Sequence, residues 1–567
     1  MTTGKTVPEL TAETPPIVGT DELVVYRSPG PLKRATTATV RTYMQSNLGT
    51  MATQNANAVA ITGGSITGIT DLAVADGGTG ASDASTARAN LAVVGTADLA
   101  ASTGAALVGS IQSGTSAAAR TAQAKLRDAL HAKDFGVVGD GSTDDQPAMQ
   151  AAITEAVASD KVLIIDGFTG EIRCNSGLTI AGPVHIRGGG KGVARLNFVG
   201  TSGFSVSATV NDVCLEGLNI ATSVRYTTTP NSYIGLNIAG TNGNDCDRIY
   251  VKDCFFDGWG DCIVANYARE PVFDGVETVY CYRGIWLKGQ STNWTITGSC
   301  RITGIDSTAG TPAAASTGVR VGDATSPQPE GGCIQPGCLI FGFARGFRNQ
   351  GAINIDVIGV RLDAISEFGI LDQSDNSALS ANNNYIANFF GMIGGAGSIG
   401  IYSTNSTSTA GLLDQSRGTL IHGNEICIYS TKSVDYGILI EGSGQRQVTV
   451  SGTKRILGTV NVYACSITGG SGHKVHGNAW DTGGFATSVA ITYGLNTGTI
   501  ASGAANCIDA ASIYDALSAY RVAGTKVIGT QGAAVADATG GAVVDAEART
   551  ALNALLSRLR AHGLIAT

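Results

Sequence analysis

One short phrase recurs along the middle of the chain. It reads apolar, any residue, apolar, any residue, then glycine or aspartate. Val213-x-Leu215-x-Gly217, Ile249-x-Val251-x-Asp253, Trp294-x-Ile296-x-Gly298 and Val448-x-Val450-x-Gly452 are full copies. Val272-Phe273-Asp274-Gly275, Ile421-His422-Gly423 and Val475-His476-Gly477 are partial ones. A second phrase is glycine followed by an apolar strand, at Gly235, Gly284, Gly318, Gly346, Gly369, Gly400 and Gly437. Alternation with period 2 is the signature of short β-strands, and a repeat of roughly 22–37 residues is that of a solenoid. Each repeat is too small to bury a face alone; stacking the coils at ~4.8 Å buries the inward residues in one continuous core. The expected fold is all-β: a right-handed parallel β-helix of about a dozen coils over residues ~133–480.

The flanks lack this pattern. Residues 1–50 read as a small module with a strand and a helix. Residues 51–131 combine β-like fragments, a Gly-rich turn, a small helix that Asp83 can cap, and a second helical stretch over 115–132. None of it carries enough apolar residues for a core of its own, so partner chains are expected to cover it. Residues 481–567 hold strand-like pieces (ATSVAITYGL, KVIGTQGAAVAD) and then the strongest helical pattern, 544–566. Asp545 suits its N-cap, Gly563 its end, and Ala551, Leu552, Leu555, Leu556 and Leu559 form an apolar stripe expected to serve oligomerisation.

Composition sharpens this reading. Glycine makes up 77 of 567 residues and charged residues only 14%, which suits many tight turns. The net charge of −8, without a Lys/Arg cluster, argues against a nucleic-acid surface. No apolar run reaches the ~18 residues of a membrane helix, and no secretion signal is visible at the N-terminus, so assembly in a reducing cytosol is expected. The 12 cysteines are scattered without C-x-x-C pairs. They are expected to be small buried apolar residues, with no metal and no cofactor.

The stretch KDFGVVGDGSTDDQPAMQAAI (133–153) reads as a strand, a tight turn at Gly139-Asp140-Gly141, and a helix with an apolar face of Ala148, Met149, Ala152, Ile153 and Val157. Either Thr143 and Gln146 form a capping box with Asp144 and Asp145 in the first turn, or Asp145 is the cap, which places Pro147 more comfortably. The helix is expected to cap the open end of the β-helix, and the three aspartates to be structural.

This stretch resembles the opening signature of the pectate-lyase-like (rhamnogalacturonase/epimerase-like) β-helix family, which includes many bacteriophage tailspikes. VADGGTGASDASTARANLAV is similar to a linker common in phage tail fibres, and AYRVAGTKVIGTQGAAVADATGG with RLRAHGLIA resembles the C-terminus of tail fibres of phages of alphaproteobacteria. The resemblance implies a homotrimer in four parts. These are a virion-attachment module (1–50) that binds a tail or baseplate protein, a fibre-like neck (51–131), a glycan-binding β-helix (132–480) and a C-terminal trimerisation region (481–567). It implies a place in the phage tail, with host capsule or lipopolysaccharide as partner, no nucleic acid and no membrane insertion.

Cutting a polysaccharide by hydrolysis takes two carboxylates, and by β-elimination a base with a cation. Residues 253–294 are densest in acids and aromatics. Asp257 and Asp261 bracket a Gly-Trp-Gly turn and are expected to face solvent; Trp259, Tyr267, Tyr282 and Trp286 are candidate sugar-stacking rings. If Gly217, Asp253 and Gly275 stack, Glu216, Lys252 and Asp274 form an acid–base–acid ladder. That ladder reads either as a catalytic pair two coils (roughly 9–10 Å) apart or as a solvated salt-bridge ladder. The candidate catalytic set is Asp257, Asp261, Asp274 and Glu216. A second window holds Asp363, Glu367, Asp372 and Asp375. His422 and His476, in I-H-G-N and V-H-G-N contexts, read as equivalent rung positions rather than metal ligands. The polygalacturonase pattern of paired aspartates with Gly-His-Gly is not present. Two functions stand: a tailspike that binds and hydrolyses host surface polysaccharide, or a non-catalytic receptor-binding fibre on the same scaffold.

Overall fold

A computed structural model of the chain describes residues 22–25, 33–48, 83–92, 94, 96–226, 230–304, 312–323, 328–374, 380–405, 416–442, 445–468, 473–476, 507–508, 519–522, 525–529 and 544–561. The chain divides into two compact units, residues 1–123 and 124–567.

The first unit has strands Glu22–Val25 and Lys33–Thr36 paired antiparallel, followed by helix Thr37–Leu48. Further on, Asp83 caps helix Ala84–Asn90 by accepting from the backbone N–H groups of Ser85 and Thr86. The second helical stretch, expected over 115–132, shrinks to Ala122–Leu126. It lacks an apolar stripe, and the residues after it, Ala129–His131, are taken up as a strand that pairs with Val162–Ile164.

The second unit is a parallel β-helix. Each coil runs through three sheets in turn. Among the described residues the first sheet climbs from Ala129–His131 to Cys507–Ile508, its strands pairing in parallel. The second has eleven strands, from Ile172–Cys174 to Arg455–Leu457, and the third eleven, from Leu178–Ile180 to Thr459–Thr468. The two recurring sequence phrases are two of these sheets. The first phrase is the first-sheet strand and the turn after it, where the chain takes a left-handed conformation at Gly217, Asp253, Gly275 and Gly298 (φ between +48° and +67°). Glycine tolerates that conformation, and aspartate does so better than most other residues. The second phrase opens the third-sheet strand. At Gly318 an added Cβ would lie 2.3 Å from the Ile340 side chain and 2.8 Å from the Gly346 carbonyl of the next coil, so no side chain fits.

Inward residues line up coil upon coil. Ile186, Leu215, Val251, Phe273, Ile296, Ile334, Val357, Tyr385, Ile421 and Val450 form one buried column in register. Each such burial contributes about 1.5–3 kcal/mol relative to exposure. Just after the first-sheet turn, another inward position is Leu218, Cys254, Val276, Cys300, Cys338 and Val360, then Asn388 and Asn424. The two asparagines replace apolar contact by hydrogen bonds: Asn388 donates to Val357 O and Asn424 to Tyr385 O, while Asn388 N–H donates to the Asn424 amide oxygen. Most of the described cysteines are buried, as expected. Burial pushes the Cys174 and Cys254 thiols up to about 12, far from nucleophilic use.

The capping helix is Gln146–Ser159, with Met149, Ala152, Ile153 and Ala156 buried against the first coil. Asp145 is its N-cap and Pro147 falls in the first turn. The capping box does not form: Thr143 is turned to Asp140, which accepts from the N–H groups of Ser142 and Thr143 and is held well below the usual carboxylate range by them. The exposed edge of the first coil is also closed here. Gln150 both donates to Thr179 O and accepts from Thr179 N–H, Gln146 donates to Gly177 O, and Asp144 accepts from Asn175 N–H.

Toward the C-terminus, Ala519–Val522 and Thr525–Gly529 pair antiparallel and Val544–Ala561 is helical, with Leu552 and Leu555 exposed. Asp545 lies inside that helix rather than ahead of it. Gly563 and the strand expected at ATSVAITYGL lie outside the described residues. Among the described residues no helix is long and apolar enough to cross a membrane.

Candidate functional site

The acid-rich window does not form one site. Glu216, Lys252 and Asp274 are in register on the first sheet, as the stacking of Gly217, Asp253 and Gly275 requires. Lys252 and His185 both reach Glu216 (3.1 Å each), and Tyr250 OH donates to Asp274 (2.7 Å). The ion pairing joins Lys252 to Glu216, while Asp274 is met by the Tyr250 hydroxyl. The Lys252 ammonium beside Glu216 holds its carboxyl below the usual range. A lowered folded value means the pair stabilises fully above the ordinary glutamate range and is lost as pH falls through the lowered value. Glu216→Gln is expected to flatten the acid limb of a melting-temperature-against-pH curve by lowering its neutral plateau, and to leave the most acid region nearly unchanged.

Asp257 and Asp261 sit elsewhere, at the corner between the second and third sheets of the same coil. Asp257 ends strand Phe255–Asp257 and Asp261 begins strand Asp261–Asn266. They do not face solvent: their side chains are 10% and 12% exposed. Arg225, from the segment after strand Asn219–Thr222, donates to Asp257 Oδ2 (2.6 Å) and rests on the Tyr280 ring (4.3 Å). Arg283, one coil on, grips Asp261 with both Nε and Nη2. Such charge-assisted pairs are short and specific. They hold the chain after the second-sheet strand against the Gly258–Gly260 turn, where Asn231 also donates to Gly258 O and Tyr226 N–H bonds the same carbonyl. Asp257 Oδ1 alone has no hydrogen-bond partner among the described residues.

The aromatic candidates separate as well. Trp259 is fully buried; its indole N–H donates to Ile220 O (2.9 Å) and its ring lies 5.9 Å from Phe198. It has no face to offer a sugar, because the turn that carries it points inward. Tyr267 lies at the far end of the third-sheet strand, in a left-handed turn beside Gly289, away from Tyr282. Tyr282 is half-buried, 6.0 Å from Tyr226, with its hydroxyl donating to Ala314 O. Trp286 points outward and is half-buried, but its ring is already surrounded: Arg283, Arg320 and Lys288 lie 4.2, 4.4 and 4.7 Å from its centroid.

In the second window, Asp363 is buried and held by Arg361, Tyr429 OH and Ala364 N–H, and Glu367 pairs with Arg345 and Ala315 N–H. Asp372 is enclosed and accepts from Asn349; Asp375 lies outside the described residues. His422 and His476 both pair with Ser451 in one column, so they are equivalent rung positions. No cluster of His, Cys, Asp or Glu suited to a metal occurs among the described residues.

The residues missed by sequence reasoning are arginines. On the outward face of the third sheet Trp286, Arg320 and Arg348 occupy one column, and near the start of the same strands Arg283, Thr317 and Arg345 are in register, with Thr317 buried. Their signal was present beside three of the seven glycines of the second phrase: Arg283-Gly284-x-Trp286, Thr317-Gly318-x-Arg320, Arg345-Gly346-x-Arg348.

No protein-family profile and no curated protein matches the chain. Solved structures with a similar course include the Dettilon tailspike protein (gp208), 14% identical, covering 63% of this chain and 68% of that one, with a TM-score of 0.40. Pre-mature bacteriophage phi29 gene product 12 is 14% identical, covering 61% of this chain and 51% of that one, TM-score 0.40. DFA-IIIase from Arthrobacter chlorophenolicus A6 without its lid is 12% identical, covering 61% and 94%, TM-score 0.42.

Proposed function

We propose that this chain is a virion tail fibre of the tailspike kind, which binds host surface polysaccharide on the flank of its β-helix and does not hydrolyse it at the Asp257–Asp261 corner. The observation that carries the binding reading is the outward third-sheet face, where Trp286, Arg320 and Arg348 stand in one column over three successive coils. Sugars are held by such combinations of ring and polar fork. The phage context is supported by the three sequence resemblances. The homotrimer, the N-terminal attachment to a tail or baseplate protein and C-terminal trimerisation through the 544–561 helix belong to the same proposal, as does the domain division at residues 50, 131 and 480.

Absence of hydrolysis at this corner is supported by the engagement of both carboxylates. A glycosidase needs one acid free to give a proton and another free to attack or to activate water. Here each is committed to a guanidinium. The test incubates the purified full-length chain with a panel of bacterial capsules and lipopolysaccharides, measuring retention and reducing ends together. Binding without reducing ends is expected, with Asp257→Asn and Asp261→Asn unchanged in that respect. The hydrolytic reading has one observation in its favour, the unpartnered Asp257 Oδ1. Release of oligosaccharides by the native chain, abolished in Asp257→Asn, would install it instead.

A further inference from the structure

Polar atoms without partners gather on the outward face of the second sheet. Strands Arg195–Phe198, Asn219–Thr222 and Phe255–Asp257 are successive rungs there. Alternation puts Leu196, Ile220 and Phe256 inside and two columns outside. One column is Arg195, Asn219 and Phe255; the other is Asn197, Ala221 and Asp257. Four of these side chains hold a buried atom with no hydrogen-bond partner: Arg195 Nε, Asn197 Oδ1, Asn219 Oδ1 and Asp257 Oδ1. Buried polar groups are ordinarily paired, and each one left unpaired costs stability. Such a set within two columns and three rungs calls for an occupant.

Other atoms of these side chains are already engaged. Asn197 Nδ2 donates to Glu171 Oε2 (2.8 Å) on the coil before. Turning the amide over would set its oxygen against that carboxylate, so Oδ1 is the free end. Arg195 Nη1 pairs with Glu171 (3.1 Å), and its Nη2 lies 4.0 Å from Asp257 Oδ2, which Arg225 also holds (2.6 Å). Asp257 is thus buried and held through Oδ2, and Oδ1 is left over. Between Asn197 and Asp257, about 9–10 Å apart by two strand spacings, Ala221 offers only a methyl group. Ala221 is fully buried although it points outward, so it is the floor of the patch. Beside Asn219, Phe255 points outward and is half-buried.

The unpaired set selects the chemistry. Three acceptors and one donor ask for a group rich in O–H donors that can also accept. A metal cation would suit the acceptors but stands against the guanidiniums of Arg195 and Arg225 at Asp257. An anion would set oxygen against three oxygens. Neutral hydroxyls suit both kinds of atom, and the Phe255 ring supplies an apolar surface for the apolar face of a pyranose. Arg225 is the movable cover. Its side chain is 48% exposed, so it turns aside by rotamer change, and Arg195 then takes its place at Asp257 Oδ2.

We infer that the second-sheet patch of Arg195, Asn197, Asn219, Phe255 and Asp257 is a subsite for a neutral pyranose unit of the bound polysaccharide. Its hydroxyls donate to the oxygens of Asn197, Asn219 and Asp257 and accept from Arg195 Nε, and its apolar face rests on Phe255. The inference rests on the polysaccharide-binding reading above and extends it from the third sheet to the second.

The experiment uses the full-length chain and a panel of purified bacterial surface polysaccharides. Each polymer is paired with its O-methylated form, which keeps the oxygens and removes the hydroxyl donors. Affinity and melting temperature are measured for the native chain, Asn219→Leu and Phe255→Ala. Binding of a polymer that carries neutral pyranose units is expected, weakened at least tenfold by methylation and by either substitution. The methylated polymer is expected to be insensitive to both. Asn219→Leu removes an unpaired polar atom, so its melting temperature is expected to match or exceed the native one, which separates lost recognition from lost structure. The ratio of native to Asn219→Leu affinity is expected to hold from low to high salt, because neutral groups are not screened. A ratio that collapses toward one at high salt would overturn the neutral pyranose as ligand. Arg248→Gln, which alters the Asp212 pair on the first sheet, is expected to stay within twofold. Native binding that Asn219→Leu leaves within twofold would overturn the subsite, with ordered water as its only occupant, and leave the polysaccharide reading standing. Binding of no polysaccharide would overturn both.

Discussion

Trp259→Ala is expected to lower the stability of the β-helix by about 3–5 kcal/mol, the usual cost of removing a large aromatic from a close-packed core. Trp259 has no exposed surface, touches Phe198 and sits beneath the corner where the second sheet passes into the third. Its loss also strips Ile220 O of an indole donor, worth about 1 kcal/mol within that total. The measurement is the unfolding rate in guanidinium, because a stacked solenoid separates slowly and reports through that rate. Trp259→Phe should recover most of the packing but not the hydrogen bond. Glycan affinity of the folded fraction is expected to stay within about twofold of native. A variant that unfolds like the native chain but no longer binds would return Trp259 to the surface and undo its placement in the core.

The contrast with Trp286 shows how far the sequence carries. Both tryptophans fall in the same acid-rich window, and composition does not distinguish them. Trp286 lies inside a strand whose start is marked by Gly284, so alternation places Ile285 and Leu287 in one environment and Trp286 in the other. Its outward direction was legible. Trp259 lies between two turn glycines, where alternation has no meaning, and only the three-dimensional path shows the ring directed inward. The acids were legible as outward positions of the ladder, since Glu216, Lys252 and Asp274 follow from the stacked turn residues. The partners of Asp257 and Asp261 were not. Arg225 and Arg283 lie roughly one coil before and one after, and loops of variable length hide that relation from any fixed spacing. The arginine column was within reach, since Arg320 and Arg348 stand two residues after Gly318 and Gly346, as Trp286 does after Gly284. Comparing the copies residue by residue, instead of searching one window for acids, brings it out.

Asp145→Ala is expected to cost about 3–6 kcal/mol and to free the N-terminal end of the β-helix, through loss of two hydrogen bonds to a charged acceptor at about 1.5–3 kcal/mol each. The carboxylate is 1% exposed and accepts from Val138 N–H (2.7 Å) and Gly139 N–H (3.0 Å), reaching back from the helix it starts. Alanine leaves those two donors with no acceptor. The capping helix then loses its anchor to the turn, and its buried face loses its fixed seat against strands Val162–Ile165 and Leu178–Ile180. Hydrogen exchange should therefore quicken first at Leu178–Ile180, whose edge Gln150 closes, and only later at the central coils. Asp144→Ala, which removes acceptors for Gln146 and Asn175 N–H groups at an exposed site, should cost about 1 kcal/mol. Asp140→Ala should loosen only its own turn. A catalytic role for these three aspartates demands the reverse order: activity lost with stability intact, and most strongly at the exposed Asp140. Unchanged unfolding of Asp145→Ala would remove it as the anchor of the cap and reopen that alternative.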